Sequence, residues 1–306
     1  MRDLLIVGAG PAGISAALWA RSFGLDVGLV DAAPTPGGQL HRVHFHPPAV
    51  PGFEAGDGPA LAAACTRQLD RAEVTWRGGF EATSLRAAGE GEPWPHVSFG
   101  GGEALPARAV LVATGVRRRR LGVPGEREFE GRGVSFSATR DQARLAGHPV
   151  VVVGGGDAAF ENALLLAATG SEVDLVVRRE PRARPEFRER VAAEARIRLH
   201  TGRRVTAILG GDSVTSVRLE ADGAASDLAT RGVVIKIGVL PNSEWCRGVL
   251  KTDADGYVLT DARLGTSAAG IWAAGDIVRP SPPSIAVAMG QGAQAAAAIH
   301  RELRGG

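Results

Sequence analysis

Cysteine is almost absent from this chain: Cys65 and Cys246 are the only two in 306 residues. They form no spacing motif, which excludes a disulfide framework and points to a reducing compartment or to two inert thiols. Lysine is equally scarce. Lys236 and Lys251 stand alone among 35 basic residues, so the cations are almost all arginine, a usage that fits a GC-rich genome. No sign of charge dominates: 35 basic against 33 acidic residues leave a net +2, which confers no general affinity for nucleic acid. No apolar run approaches the roughly 18 residues that a membrane span needs. The first candidate strand begins at the third residue, which leaves no room for a secretory leader. The expectation is a cytoplasmic protein with no nucleic-acid or membrane partner, long enough for two domains that each bury a core.

What the chain does have is glycine in a fixed spacing. The apolar run 4–7 reads as a buried strand, and Gly8, Gly10 and Gly13 follow in G-x-G-x-x-G order, with Pro11 and Ala12 between them. A helix is expected over 14–22. In this arrangement the glycines allow a tight turn, close backbone approach to a pyrophosphate, and close helix–strand packing, while the helix aims free N–H groups at the phosphates. A second strand, 27–30, leads to Asp31, 31 − 8 = 23 residues after the first glycine, where a carboxylate accepts hydrogen bonds from an adenosine ribose.

The pattern recurs. Residues 150–159 give a strand, then Gly154, Gly156 and Ala159 in G-x-G-x-x-A spacing, then a helix from Ala158 to about Ala168. The next strand, 172–177, ends 177 − 154 = 23 residues on, at Val177 rather than an acid, and Arg178 and Arg179 follow. Guanidinium groups in place of a carboxylate suit a 2′-phosphate, so NADPH is expected over NADH, with Arg182 and Arg184 adding to the cluster and Glu180 keeping NADH open. Between the copies, 59–71 reads as a helix and 73–99 as short strands. A strand at 109–112 ends in Ala113, Thr114 and Gly115. The Gly- and Pro-bearing turn 121–125 reads as an interdomain crossing, and a second crossing falls near 238–243. Strands are expected near 205–209, 213–219, 233–237 and 270–274, and a closing helix over about 284–302. The fold class is α/β, with two Rossmann-like dinucleotide-binding domains. One, 120–240, is inserted into the other, 1–119 with 241–306.

Together the segments GAGPAG (8–13), GGQL (37–40), ATG (113–115), VPGE (123–126), GRGVS (131–135), GGGDAA (154–159), VVRRE (176–180) and AAGD (273–276) resemble the low-molecular-weight thioredoxin reductase family of flavoproteins over essentially the whole chain. The resemblance implies FAD in the first domain, NADPH in the inserted one, and a homodimer. It places Gly8, Gly10, Pro11, Ala12 and Gly13 on the FAD pyrophosphate and Asp31 on the ribose. Gly38, Gln39, Leu40, Thr114 and Gly115 fall in the flavin region, and Gly275 and Asp276 on the ribityl–phosphate stem. The family's Arg-Gln-Ala flavin contact aligns with Pro283, Ser284 and Ile285, which leaves the backbone of Ser284 and Ile285 to serve. It further implies Gly154, Gly156, Asp157, Ala158, Ala159 and Glu161 on the nicotinamide nucleotide, with Arg178, Arg179 and Arg184 on the 2′-phosphate. Of the family's HRRxxxR motif, the His position is Val177 and the last Arg position is Ala183.

The departure lies at 137–141. The resembled enzymes carry a Cys-Ala-Thr-Cys-Asp stretch there, whereas this chain reads Ser137, Ala138, Thr139, Arg140, Asp141. Neither serine nor arginine cycles between thiol and disulfide. The implied enzyme is therefore an FAD-dependent NADPH oxidoreductase that passes electrons from the flavin directly to an external acceptor. An acidic carrier of the ferredoxin or flavodoxin class is favoured. A small disulfide or other organic oxidant, and a flavin-binding redox sensor without turnover, are the competing readings. Ser137, Arg140 and Asp141 are the candidate groups near the flavin, Arg140 as a cation and Asp141 as a proton donor, against a plain surface ion pair. His41, His44 and His46 stand near the same region with no third strong ligand for a metal, so no metal is expected. Arg117, Arg118, Arg119 and Arg120 read as a carrier-docking patch or a solvated linker.

Overall fold

A computed structural model of the chain describes residues 1–47, 49–89 and 91–305. It comprises two compact units, Met1–Arg117 with Leu240–Gly306 and Arg118–Val239.

The first unit opens on β1 (Arg2–Val7). Its residues Leu4, Leu5, Ile6 and Val7 are all buried, so both faces are covered and the run is apolar without alternation. Helix α1 (Pro11–Ser22) starts at Pro11 rather than Ile14, because proline at the first helical position is already set at a helical φ and loses no hydrogen bond. Then come β2 (Val27–Asp31) and α2 (Gly58–Arg71), the latter capped by Asp57, whose carboxylate accepts the Ala60 N–H at 3.0 Å. Strands β3 (Thr75–Gly78), β4 (Ala82–Arg86), β5 (His96–Phe99) and β6 (Ala104–Val112) complete the order β3-β2-β1-β6-β5-β4. The first four run parallel, while β4, β5 and the start of β6 are antiparallel. The chain leaves this unit through β7 (Val116–Arg118).

The second unit repeats the plan with β8 (Val134–Ser135), α3 (Ala138–Leu145), β9 (Val150–Val153), α4 (Asp157–Ala167), β10 (Val173–Val177), α5 (Pro185–Ala193) and β11 (Ile197–Thr201). An antiparallel set, β12 (Arg204–Gly210), β13 (Val214–Ala221) and β14 (Ala224–Ala229), precedes β15 (Gly232–Ile235). The parallel sheet has the order β11-β10-β9-β15-β8. Asp174 of β10 is 2 % exposed, and Arg198 (3.0 and 3.2 Å) and His200 (2.7 Å) of neighbouring β11 satisfy it.

The chain returns through β16 (Val239–Pro241) to β17 (Ile271–Ala273), which pairs parallel with β6, and to α6 (Ile285–Gly305). Helix α6 presses a small-residue face onto α1. A Cβ on Gly292 would sit 2.1 Å from the Ala12 carbonyl oxygen, and Ser15 Oγ donates to the Met289 carbonyl at 2.7 Å. Among the described residues, no helix is long and apolar enough to cross a membrane.

Candidate functional site

In the first unit the glycine turn follows directly from the strand that precedes it. Gly8, at φ 109°, donates its N–H to the Val30 carbonyl at 2.8 Å, and a Cβ there would lie 2.3 Å from the Ala113 carbonyl oxygen. Gly10 is different: a Cβ on it would meet no atom within 4 Å, so what its missing side chain leaves open is the cleft. Gly10 also caps α1 without a side-chain acceptor, and the first intrahelical bond is that of Ile14 to Gly10 at 2.9 Å. The Ala12 and Gly13 N–H groups therefore precede the helical ladder, the arrangement that binds phosphate. Asp31, at the end of β2, accepts the Ala9 N–H (2.6 Å) and the Ala33 N–H (2.7 Å), one on each carboxylate oxygen. Each oxygen retains lone-pair capacity for ribose hydroxyls.

A cleft of about 950 Å³ runs from this turn. It is lined by Gly8, Gly10, Pro11, Ala12, Asp31, Gly38, Gln39, Leu40, Thr114, Gly115, Gly275, Asp276, Ser284 and Ile285. Gly13 lies beneath it, where a Cβ would fall 1.8 Å from the Gly8 carbonyl oxygen. Gln39 Nε2 donates to Asp276 Oδ2 at 3.0 Å. Burial raises the Asp276 carboxyl above its ordinary range, and the Gln39 bond only partly offsets this. Thr114 and Asn242 are laced together: Thr114 Oγ1 donates to the Asn242 carbonyl and Asn242 Nδ2 to the Thr114 carbonyl, both at 2.8 Å. Ser284 Oγ accepts the Val287 N–H at 3.2 Å, so Ser284 caps α6 and the helix proper begins at Ile285. The lining also includes residues that the motifs do not mark, among them Arg42, Phe80, Glu81, Thr83, Glu244 and Trp245. An open glycine cradle, a helix start without a side-chain cap and a two-oxygen ribose acceptor all fit FAD.

The second unit has the same turn. Gly154 (φ 147°) would place a Cβ 2.1 Å from the Lys236 carbonyl oxygen, while a Cβ on Gly156 would meet nothing within 4 Å. Gly156 caps α4 with no side-chain acceptor, Ala159 is fully buried below the turn, and Ala158 and Glu161 are exposed. Asp157 is engaged by Arg184, whose backbone N–H and Nε reach its two oxygens at 2.7 Å each; these bonds hold the Asp157 carboxyl below its usual range. Arg184 is therefore tied to α4 by a partner 27 positions away, not held ready for a 2′-phosphate. Arg178 and Arg179 are exposed at the end of β10 and make no ion pair among the described residues. Ala183, at the last arginine position of the resembled motif, is 4 % exposed. The cradle fits a dinucleotide.

Ser137, Arg140 and Asp141 form the start of α3. Ser137 is its N-cap, accepting the Arg140 N–H at 3.3 Å, a function a hydroxyl performs well. Asp141 is bonded by Arg140 Nη2 (2.7 Å), by Ser135 Oγ and by Arg144 (3.5 Å). Burial alone would raise its pKa, but the Arg140 and Ser135 bonds outweigh it and hold the carboxyl low. Asp141 is thus an ionised acceptor at neutral pH, not the proton donor expected from its position. Cys65 lies in α2 and Cys246 just after β16. Both are buried, burial raises both thiols, and neither lines the cleft.

The remaining motifs are held locally. His41 Nε2 meets the Pro36 carbonyl at 2.8 Å, and His46 Nδ1 the Gly56 carbonyl at 3.1 Å. Among the described residues no group of three or more His, Cys, Asp or Glu is placed to hold a metal. The arginine run is divided rather than solvated together. Arg117 pairs with Glu244, Arg118 lies 5.6 Å from the Phe136 ring, Arg119 Nε donates to the Val239 carbonyl (3.0 Å), and Arg120 pairs with Glu130 (2.7 Å).

Comparison with known proteins agrees with this geometry. Residues 2–292 match the family model described as "Pyridine nucleotide-disulphide oxidoreductase". The chain is 34 % identical to a thioredoxin reductase of Listeria innocua over 294 residues, covering 95 % of this chain and 90 % of that one. It is 33 % identical over 308 residues to an alkyl hydroperoxide reductase of Pseudomonas putida, covering 98 % of this chain but only 58 % of that longer protein. The crystal structure of Lactococcus lactis thioredoxin reductase superposes with a TM-score of 0.81 at 29 % identity, covering 99 % of both chains. That of Streptococcus pyogenes thioredoxin reductase gives 0.73 at 32 % identity, covering 100 % of this chain and 99 % of that one. Thioredoxin reductases are two-domain Rossmann-type proteins that use FAD and NADPH. The chain belongs to the pyridine nucleotide-disulphide oxidoreductase family and is an FAD-dependent NAD(P)H oxidoreductase of thioredoxin-reductase-like build.

Proposed function

We propose that this enzyme takes electrons from NADPH and passes them from FAD directly to an external acceptor, with no cysteine relay inside the chain. In this reading the first unit binds FAD, the second binds NADPH, the assembly is a homodimer, and the acceptor is an acidic carrier of the ferredoxin or flavodoxin class. The observation that carries the proposal is the start of α3, where a hydroxyl cap (Ser137) and an ion-paired guanidinium (Arg140) replace the expected thiols. A thiolate is the species that exchanges disulfides, and the two thiols present are buried with raised pKa values.

Bound FAD supplies the hydride-accepting chemistry, and the chain supplies position and charge. Gly8, Gly10 and the first turn of α1 bind its pyrophosphate, Asp31 the adenosine ribose, and Gly275 with Asp276 the ribityl–phosphate stem. Gly38, Gln39, Leu40, Thr114, Gly115 and the backbone of Ser284 and Ile285 line the remainder of the cleft. In the second unit Gly154, Gly156, Ala158 and Ala159 cradle the nucleotide, Glu161 meets its nicotinamide half, and Arg178 with Arg179 pairs the 2′-phosphate. Asp157 positions Arg184, and Asp141 positions Arg140. Exposed Arg140 and Arg144, in a chain of net charge +2, favour an acidic partner.

Stopped-flow reduction by NADPH, followed by mixing with ferredoxin, flavodoxin, quinone, a low-molecular-weight disulfide or oxygen, tests this. Fast reoxidation by a carrier protein is the expected result. Turnover of the small disulfide alone would move the acceptor to that class, and slow reoxidation by oxygen only would refute the carrier. A flavin that NADPH does not bleach would leave a sensor rather than an enzyme.

A further inference from the structure

The second unit holds a cation that its nucleotide motif does not announce. Lys236, one of two lysines in the chain, immediately follows β15, and its N–H donates to the Val153 carbonyl at 2.8 Å. Ile235 pairs with Val153 at the last rung before the glycine turn, and the Lys236 carbonyl is the atom that a Gly154 side chain would strike. Strand order reverses here: β10 and β11 lie on one side of β9, and β15 and β8 on the other. In an open α/β sheet this is where the crevice forms and the dinucleotide lies.

The Lys236 side chain is half-buried and makes no hydrogen bond or ion pair among the described residues. The charges that act on it are Arg118, which repels it, and Glu161 of α4, which attracts it. Burial first, then Arg118, brings its pKa down to about 8. A partly desolvated ammonium beside a second cation is unfavourable until an anion reaches it. The turn itself offers an anion only neutral N–H donors, and the nearby carboxylates of Asp157 and Glu161 oppose one. Arg184 neutralises the first of these and nothing else in the unit pairs the second.

We propose that Lys236 binds the pyrophosphate of the nicotinamide dinucleotide, as the charged counterpart of the glycine turn. This rests on reading the second unit as the dinucleotide unit. It separates two jobs: Arg178 and Arg179 recognise the 2′-phosphate that distinguishes NADPH, and Lys236 the diester that NADPH and NADH share.

Calorimetric binding of NADP⁺, ADP-ribose and adenosine 2′-monophosphate to the FAD-loaded full chain tests the assignment. ADP-ribose carries the pyrophosphate without the 2′-phosphate, and the monophosphate the reverse. Lys236→Met keeps the apolar stem and removes the charge. The expected result is a loss of about tenfold or more for NADP⁺ and ADP-ribose, with adenosine 2′-monophosphate unchanged within about twofold. Lys236→Arg should recover most of the loss. Unchanged ADP-ribose affinity, or an equal loss for all three probes, overturns the proposal. An unaltered flavin spectrum and thermal midpoint in K236M exclude misfolding, and K236R carries the comparison if K236M fails that check. A wild-type chain that binds neither NADP⁺ nor ADP-ribose refutes the reading of the unit as well.

Discussion

Replacing Arg178 and Arg179 together by alanine isolates the 2′-phosphate contact. Both side chains are exposed after β10 and make no ion pair among the described residues, so removing them breaks nothing in the fold. Arg184 is unavailable for the same duty, because Asp157 holds it through two bonds of 2.7 Å. A guanidinium–phosphate bond contributes about 1.5–3 kcal/mol in a dry site; open to solvent, each arginine contributes about 1–1.5 kcal/mol. The pair then accounts for about 2–3 kcal/mol, or about a 30- to 150-fold fall in kcat/KM for NADPH. NADH lacks the phosphate and should change by less than about threefold. Stopped-flow flavin reduction with each nucleotide measures both values in one preparation. Parallel losses for NADPH and NADH would show that the arginines support the fold or the pyrophosphate, and the 2′-phosphate argument would fail.

The glycines of the first turn make opposite predictions. Gly10→Ala adds a methyl where no atom lies within 4 Å, so the thermal midpoint of the apoprotein should hold while flavin content falls; Gly13→Ala, with its Cβ 1.8 Å from the Gly8 carbonyl oxygen, should unfold the turn and lose both. Asp174→Asn should cost roughly 2 kcal/mol of stability at neutral pH, measured by urea titration, because a buried acceptor of three hydrogen bonds is weakened. Burial would raise the Asp174 carboxyl, yet Arg198 and His200 hold it lowered. Its stabilisation is therefore complete above the ordinary carboxylate range and is lost as pH falls through the depressed folded value, so the variant should show a shallower acid limb. Asp141→Asn should leave the pH profile of flavin reduction unchanged between about pH 6 and 9, since the wild-type carboxylate is already ionised there; a lost ionisation would restore it as a proton donor.

Much of this molecule is legible without coordinates because its signals are local. Glycine spacing fixes backbone conformation over a few residues, so both turns, the strands before them and the helices after them can be read directly. Asp31 is equally legible, because one βαβ unit sets its distance from Gly8. What escapes is long-range pairing. Arg184 looks like a phosphate ligand in sequence, but Asp157, 27 positions earlier, captures it. The run from Arg117 to Arg120 looks like one basic patch. In the fold it divides, because Glu244, Phe136, the Val239 carbonyl and Glu130 each engage one member. Lys236 carries no motif at all. Only the register of β15 against β9 brings it beside a turn some eighty residues earlier in the chain, and the single clue was a lysine in a chain that uses arginine.

The absence of an internal sulfur relay is tested most directly by anaerobic titration of the FAD-loaded protein with NADPH, followed by flavin absorbance. Bleaching should be complete after a single equivalent of NADPH per flavin and should be unchanged in a Cys65→Ser, Cys246→Ser double variant. Uptake of a second equivalent before the endpoint, lost in that variant, would mean that a dithiol inside the chain carries electrons and would contradict the account.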